Sequence, residues 1–299
     1  AGQNPARFAL AQFSKDKPML ESILDALTDT KIPIGRSAKQ LVDWMIDNVG
    51  WLFDAMAKYM NYLIEGILWL LQTPHPLIVI LVMTAITYGL RRKIGTAVMV
   101  LLGLLFVVNQ GYWDETTETL TLVFTACLVC MAIGVPIGIY AAHRPRFYAF
   151  LRPVLDLMQT LPTFVYLIPA IIFFGLGLVP GLFATAIFVL PAPIRLTQLG
   201  ISATPKDLLE AGQAFGCTKR QLLFRVELPY AMPQIMVGLT QTIMLSLSMV
   251  VIAALVGAAG LGAPVVRALN TVNTALGFES GLVIVVLAIL MDRVFRRSE

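Results

Sequence analysis

Between residues 76 and 294 the sequence returns repeatedly to apolar runs: 76–91, 94–109, 119–141, 154–175, 182–200, 231–256 and 280–294. A bilayer core about 30 Å thick is crossed by roughly 17–25 helical residues. Inside it a backbone must satisfy its own N–H and C=O groups, which a helix does within one segment. The runs therefore predict an all-α membrane protein, a helical bundle of about seven spans. The first two and the last are short, so their ends reach into the interface. Hydrophobic residues make up 58% of the chain and charged ones 13%, against about half and about a quarter in soluble domains. The surplus apolar surface needs lipid to cover it. The opening AGQNPARFAL lacks a basic stretch followed by an apolar core, so no cleaved signal pattern is expected there.

The net charge of +4 is a question of sidedness rather than of nucleic acid. On alternate loops stand Arg91, Arg92 and Lys93; Arg144, Arg146 and Arg152; Arg195, Lys206, Lys219, Arg220 and Arg225; and Arg293, Arg296 and Arg297. The intervening loops, 109–118, 175–181 and 257–279, hold only Arg267. Basic residues collect on cytoplasmic loops. The bias predicts that the loop 201–229 and the C-terminus face the cytoplasm, and nothing is left over for nucleic acid to explain.

Ahead of the spans, 38–72 is a different kind of helix. Asp43, Asp47, Asp54, Lys58, Asn61, Glu65 and Gln72 fall within about 60° of one another at about 100° per residue. This is one polar stripe on an otherwise apolar helix, with Trp44, Trp51 and Trp69 suited to headgroup depth. An interfacial helix is expected; the alternative is that part of it spans and turns the stripe toward a neighbour. Seven spans would leave the N-terminus outside, and an eighth would bring it inside. Residues 1–37 read as a loosely ordered tail, 73–114 as an accessory pair of spans, and 115–297 as the core.

The loop 201–229 is polar, basic and broken by glycine, between two runs fit for lipid. Thr204-Pro205-Lys206-Asp207 reads as a helix start with Thr at N-cap and Pro at N1. Gly216 is placed to end that helix. Thr218 with Gln221 three residues on forms a capping box for a second helix, which Pro229 is expected to stop. The first helix, about 11 residues and so about 16 Å long, is too short to cross a membrane. Two short helices around a glycine corner make a rigid elbow whose apolar tip, Phe215, needs a groove to fill.

Glu210-Ala211-Gly212, then Gly216, then Val226-Glu227-Leu228-Pro229 resembles the "EAA…G…I-x-L-P" loop of bacterial binding-protein-dependent ABC importer permeases. The departures are Gly212 for a second alanine and Val226 for isoleucine. The resemblance covers about 115–297 and implies a type I ABC importer permease fold. It also implies a coupling helix, with Glu210, Ala211, Gly212, Phe215, Gly216, Val226, Leu228 and Pro229 docking onto an ATP-hydrolysing subunit. The stretch from Asp156 through Gln159, Thr160, Pro162, Tyr166 and Pro169 to Pro180 resembles the glycine betaine/proline/choline branch. So do Gly257–Gly262 and the Trp-rich segment before the spans. Implied partners are a second copy of the chain, two ATP-binding subunits holding ATP and Mg, and an external substrate-binding protein. The chain itself is expected to bind no cofactor and to be no enzyme.

Prolines 162, 169, 191 and 193 interrupt 154–175 and 182–200, and interrupted helices line transporter pathways. Gln159, Thr160, Thr163, Tyr166 and Thr197 are the polar groups there. Tyr166 and Phe164 suit a quaternary ammonium through cation–π attraction; the competing reading is that the kinks and rings only pack the bundle. No GxxxxGK[ST] occurs, and no deep run of acids or histidines that would relay protons, which weighs against a secondary transporter. No ring of acids marks a channel. A permease for amino acids or methionine is the nearer rival. Cys127-x-x-Cys130 lies inside an apolar run and reads as packing; Cys217 reads as a free thiol; His75 and His143 read as interfacial. Gly134 and Gly138 are placed to let helices approach closely.

Overall fold

A computed structural model describes residues 34–295, so residues 1–33 of the tail expected over 1–37, and the terminal Arg296 and Arg297, lie outside the described residues, while 34–37 are helical. Helix α1 runs Ile34–Gln72. Residues up to Gly50 and residues from Trp51 onward form separate compact units. In the first, Asn48 Nδ2 donates to the Trp44 carbonyl at 2.9 Å. The second contains α2 (Pro76–Arg91), α3 (Ile94–Asn109), α4 (Trp113–His143), α5 (Pro145–Thr160), a 3-10 turn (Thr163–Tyr166) and α6 (Leu167–Phe174). It continues with α7 (Leu178–Val189), α8 (Pro191–Ser202), α9 (Lys206–Ala214), α10 (Lys219–Leu222), a π turn (Leu223–Glu227), α11 (Leu228–Ala254), α12 (Gly262–Thr271) and α13 (Thr274–Phe295). Among the described residues there is no strand.

Each of the seven apolar runs falls on a helix or a broken helix. By length and composition four segments suffice to cross a membrane: Trp113–His143, Leu178–Ser202, Lys219–Ala254 and Thr274–Phe295. Two bent pairs raise this to as many as six, and α3 is a shorter apolar helix beside them. The chain is a multi-pass membrane protein; seven remains an expected number of spans.

The centre of the bundle is α4 packed on α8, with α11 behind. The approach is close because α4 carries glycine at the contact. A Cβ on Gly138 would stand 2.7 Å from the Ile194 carbonyl oxygen and from Thr197 Cβ, and one on Gly134 2.8 Å from Pro193 Cγ. Both glycines do what their spacing predicts. Threonines on α4 return their hydroxyls to the helix itself: Thr121 donates to the Thr117 carbonyl and Thr125 to that of Thr121. Cys127 and Cys130 are buried and free, and no metal-binding group of His, Cys, Asp or Glu occurs among the described residues.

From Trp51 onward α1 presses Met60, Ile64 and Leu71 into the bundle, and Phe53 stacks on Phe173 with centroids 4.1 Å apart. Asp54, Lys58, Asn61 and Glu65 stay exposed. Gln72, the last of the stripe, donates to Thr117 Oγ1 at 2.9 Å.

Contacts join loops of the same expected side. The Arg91 guanidinium donates to the carbonyls of Arg293 and Val294, which also satisfies carbonyls at the end of α13. On the other set of loops, Leu261 N–H donates to Thr119 Oγ1 and Gly177 N–H to the Val256 carbonyl. Tyr112, at the start of α4, lies near Glu279; burial and that carboxylate push its phenol above the ordinary tyrosine range.

Three local expectations need correction, and a fourth holds. The segment 143–152 is not a loop: α5 starts at Pro145, where proline suits the first turn. The stretch 257–279 contains α12. Pro191 and Pro193 do not break their span, because Leu190 keeps right-handed helical angles and Pro191 sits in the first turn of α8. The break in 154–175 is real and large: the chain turns by 102° between α5 and 163–174. Leu161, held extended by the proline that follows it, marks the corner.

Candidate functional site

The elbow begins one residue later than its sequence suggests. Lys206 is the first residue of α9, Pro205 occupies the cap position, and the Thr204 hydroxyl makes no cap hydrogen bond. Its far end is a Schellman closure: Cys217 N–H donates to the Gly212 carbonyl and Gly216 N–H to that of Gln213. Gly216 has φ +76°, a conformation that suits glycine and excludes proline. Thr218 and Gln221 then form the expected capping box.

Pro229 does not stop the second arm. Leu223–Glu227 widens into a π turn, Leu228 N–H reaches back to the Leu223 carbonyl, and the chain runs on as α11. Proline in a regular α-helix crowds the carbonyl four residues before it; the wider turn immediately upstream relieves that crowding. The second arm of the elbow is therefore continuous with the membrane helix α11, with no intervening loop.

At the corner, Phe215 is 89% exposed. Glu210, Ala211 and Pro229 are exposed, while Val226 and Leu228 are half-buried between the arm and the bundle. Gly212 has a packing role its sequence did not reveal. A Cβ there would stand 2.7 Å from Leu222 Cδ1, the tip of a side chain of the other arm, so the two arms meet at this glycine. Phe224, 59% exposed at the π turn, is a second apolar group on the elbow that helical spacing from Leu222 and Val226 did not single out.

The base of the elbow is tied to α4. Glu227 is 6% exposed, and its Oε2 lies 2.9 Å from His143 Nε2. His143 Nδ1 faces the Ile139 carbonyl at 2.8 Å; a carbonyl only accepts, so that nitrogen carries a proton. Two residues 84 apart in sequence carried no signal that they meet. Removing His143 strands a buried carboxylate, whereas removing Glu227 leaves an imidazole that water reaches. His143→Ala is therefore expected to destabilise the purified protein by about 1–3 kcal/mol. Glu227→Gln should cost less, and thermal denaturation of the two variants gives the order.

The expected pathway residues do not form one site. Tyr166 is buried among Leu167, Ala170, Ala184 and Val256, and its phenol donates to the Met158 carbonyl at 2.6 Å. Thr197 is fully buried against Gly138. Phe164 is exposed, Gln159 is half-buried, and the Thr160 hydroxyl donates to the Leu157 carbonyl. One polar contact there went unforeseen: Arg195 Nη2 on α8 meets Asp156 Oδ1 on α5 at 2.5 Å.

Residues 134–299 match the family described as binding-protein-dependent transport system inner membrane component. The chain belongs to that family. The permease is 43% identical over 264 residues to the glycine betaine transport system permease protein OpuAB of Bacillus subtilis, covering 88% of this chain and 93% of that one. It is 42% identical over 272 residues to the glycine betaine/proline betaine transport system permease protein ProW of Escherichia coli, covering 91% and 77%. Its fold matches a chain of the MetNI methionine ABC transporter in an inward-facing conformation, with TM-score 0.56 at 23% identity over 64% of this chain and 96% of that chain. The permease thus has the type I ABC importer fold.

Proposed function

We propose that this permease is the membrane-spanning subunit of an ATP-driven importer for a compatible solute: glycine betaine, choline or proline betaine. Two copies pair, and two ATP-hydrolysing subunits, which hold the ATP and Mg, grip the elbows from the cytoplasm. An external binding protein delivers the solute to the opposite face. The elbow carries this reading: a rigid, glycine-cornered projection with an exposed phenylalanine at its tip, fused at its base to a membrane helix. The betaine permeases at over 40% identity support the solute class. ATP-driven closure of the partner subunits then moves α9 and α10 and, through the π turn, α11. The bias of basic residues supports a cytoplasmic elbow and C-terminus.

The test is reconstitution of the permease with its ATPase and binding protein in liposomes. Glycine betaine-loaded binding protein is expected to stimulate ATP hydrolysis and drive solute accumulation. Stimulation by methionine or another amino acid instead would overturn the solute class, and accumulation by the permease alone would overturn the ATPase partnership.

A further inference from the structure

Arg195, grouped by sequence with the cytoplasmic-loop basic residues, lies instead within a helix, in a costly place. It belongs to α8, whose neighbouring residues Ile194 and Thr197 are buried and which lies inside the apolar segment Leu178–Ser202. Its Nε is buried without a hydrogen-bond partner, and the Asp156 carboxylate meets Nη2. An ionisable group at such depth is expensive and marks an ion or substrate route more often than a strut. The pair is also poorly placed as a strut. The side chains are 31% and 53% exposed, so the pair borders open space rather than the packed core.

The helix that carries the acid is lightly held. Only Leu155 of α5 is buried, and the chain bends by 102° just beyond α5. Gln159 and Thr160, three and four residues past Asp156, share its face of the helix. The partly open pair and these two polar groups therefore border the same side of α5, next to the interruption in the span.

We propose that Asp156 and Arg195 form a zwitterion-exchange station in the solute pathway, a deepening that rests on the betaine-importer reading above. Without solute, parting the pair strands a carboxylate and a guanidinium in a poorly solvated place, so the route stays shut. A betaine carries a quaternary ammonium and a carboxylate on one small molecule. Its ammonium takes Asp156, its carboxylate takes Arg195, and neither protein ion loses a counter-charge while the two helices separate. A guanidinium holds a carboxylate through two directed hydrogen bonds, so Arg195 reads the end of the solute that a plain cation lacks.

The experiment uses the reconstituted complex with its ATPase and binding protein, and follows ATP-driven uptake of labelled glycine betaine beside ATP hydrolysis. Asp156→Asn and Arg195→Gln are each expected to lower uptake about tenfold or more, while hydrolysis stimulated by loaded binding protein stays within about twofold of the parent, docking being intact. The double variant D156N/R195Q separates the roles. If the pair were only a strut, losing both charges would remove the stranded ion and restore uptake; a solute-reading pair leaves the double variant as low as the singles. Recovery in the double variant, or singles that transport normally, would overturn the proposal. Asp156 is the more exposed partner, so normal uptake by Asp156→Asn would overturn the proposal even if Arg195→Gln fails to assemble. A parent complex that takes up no betaine would instead sink the importer reading itself.

Discussion

Phe215→Ala should abolish solute uptake while leaving the protein in the membrane at its normal level. The side chain is almost wholly exposed, so its loss removes no packing from the bundle. Burying a phenylalanine in a partner groove contributes about 1.5–3 kcal/mol, and truncating a central aromatic anchor commonly costs about 2 kcal/mol or more. Affinity for the ATPase subunit is then expected to fall roughly thirtyfold or more. Gly216→Pro should act by a different route, since φ +76° is closed to proline. It unmakes the Schellman corner and points the two arms elsewhere. Uptake, membrane abundance and co-purification of the ATPase give the three readouts; normal uptake with Phe215→Ala would show that the tip does not dock.

Gly138→Val should prevent the bundle from assembling. The obstacle to a new Cβ is the Ile194 carbonyl oxygen at 2.7 Å, which belongs to backbone and has no rotamer to yield. Overpacking a tight core costs about 1–3 kcal/mol per intrusion and more where backbone must move. Gly138→Ala is expected within that range and Gly138→Val beyond it, read as lost yield and lowered melting temperature in detergent. Gly89 on α2 provides the contrast, with nothing within 4 Å of an added Cβ. Gly89→Ala should be neutral or slightly stabilising, because alanine loses less backbone entropy in a helix.

Local patterns in the sequence predicted those parts of the fold that depend on neighbours along the chain. The apolar runs, the capping box at Thr218, the corner at Gly216 and the small residues on α4 each follow from spacing within one segment. Misreadings arose where distant residues decide. Pro229 looked like a stop, and only the π turn, a feature of backbone geometry with no composition of its own, lets α11 begin through it. Gly212 looked like a weak point in a helix, yet Leu222 of the other arm occupies the space beside it. Among the candidate pathway groups, Tyr166 and Thr197 turned inward to packing partners from other helices. The Asp156–Arg195 contact joins residues 39 apart, and nothing local to either announces the other.

Cys217 lies two residues past Phe215 on the same corner, partly exposed, while Cys127 and Cys130 are buried. A membrane-impermeant maleimide therefore reports on the elbow in the unmodified protein. The expected result is labelling of Cys217 in inside-out vesicles, none in right-side-out vesicles, and strong protection once the ATPase subunit is added. Labelling from the outer face, or labelling that the bound ATPase leaves unchanged, would contradict the entry of force through this corner.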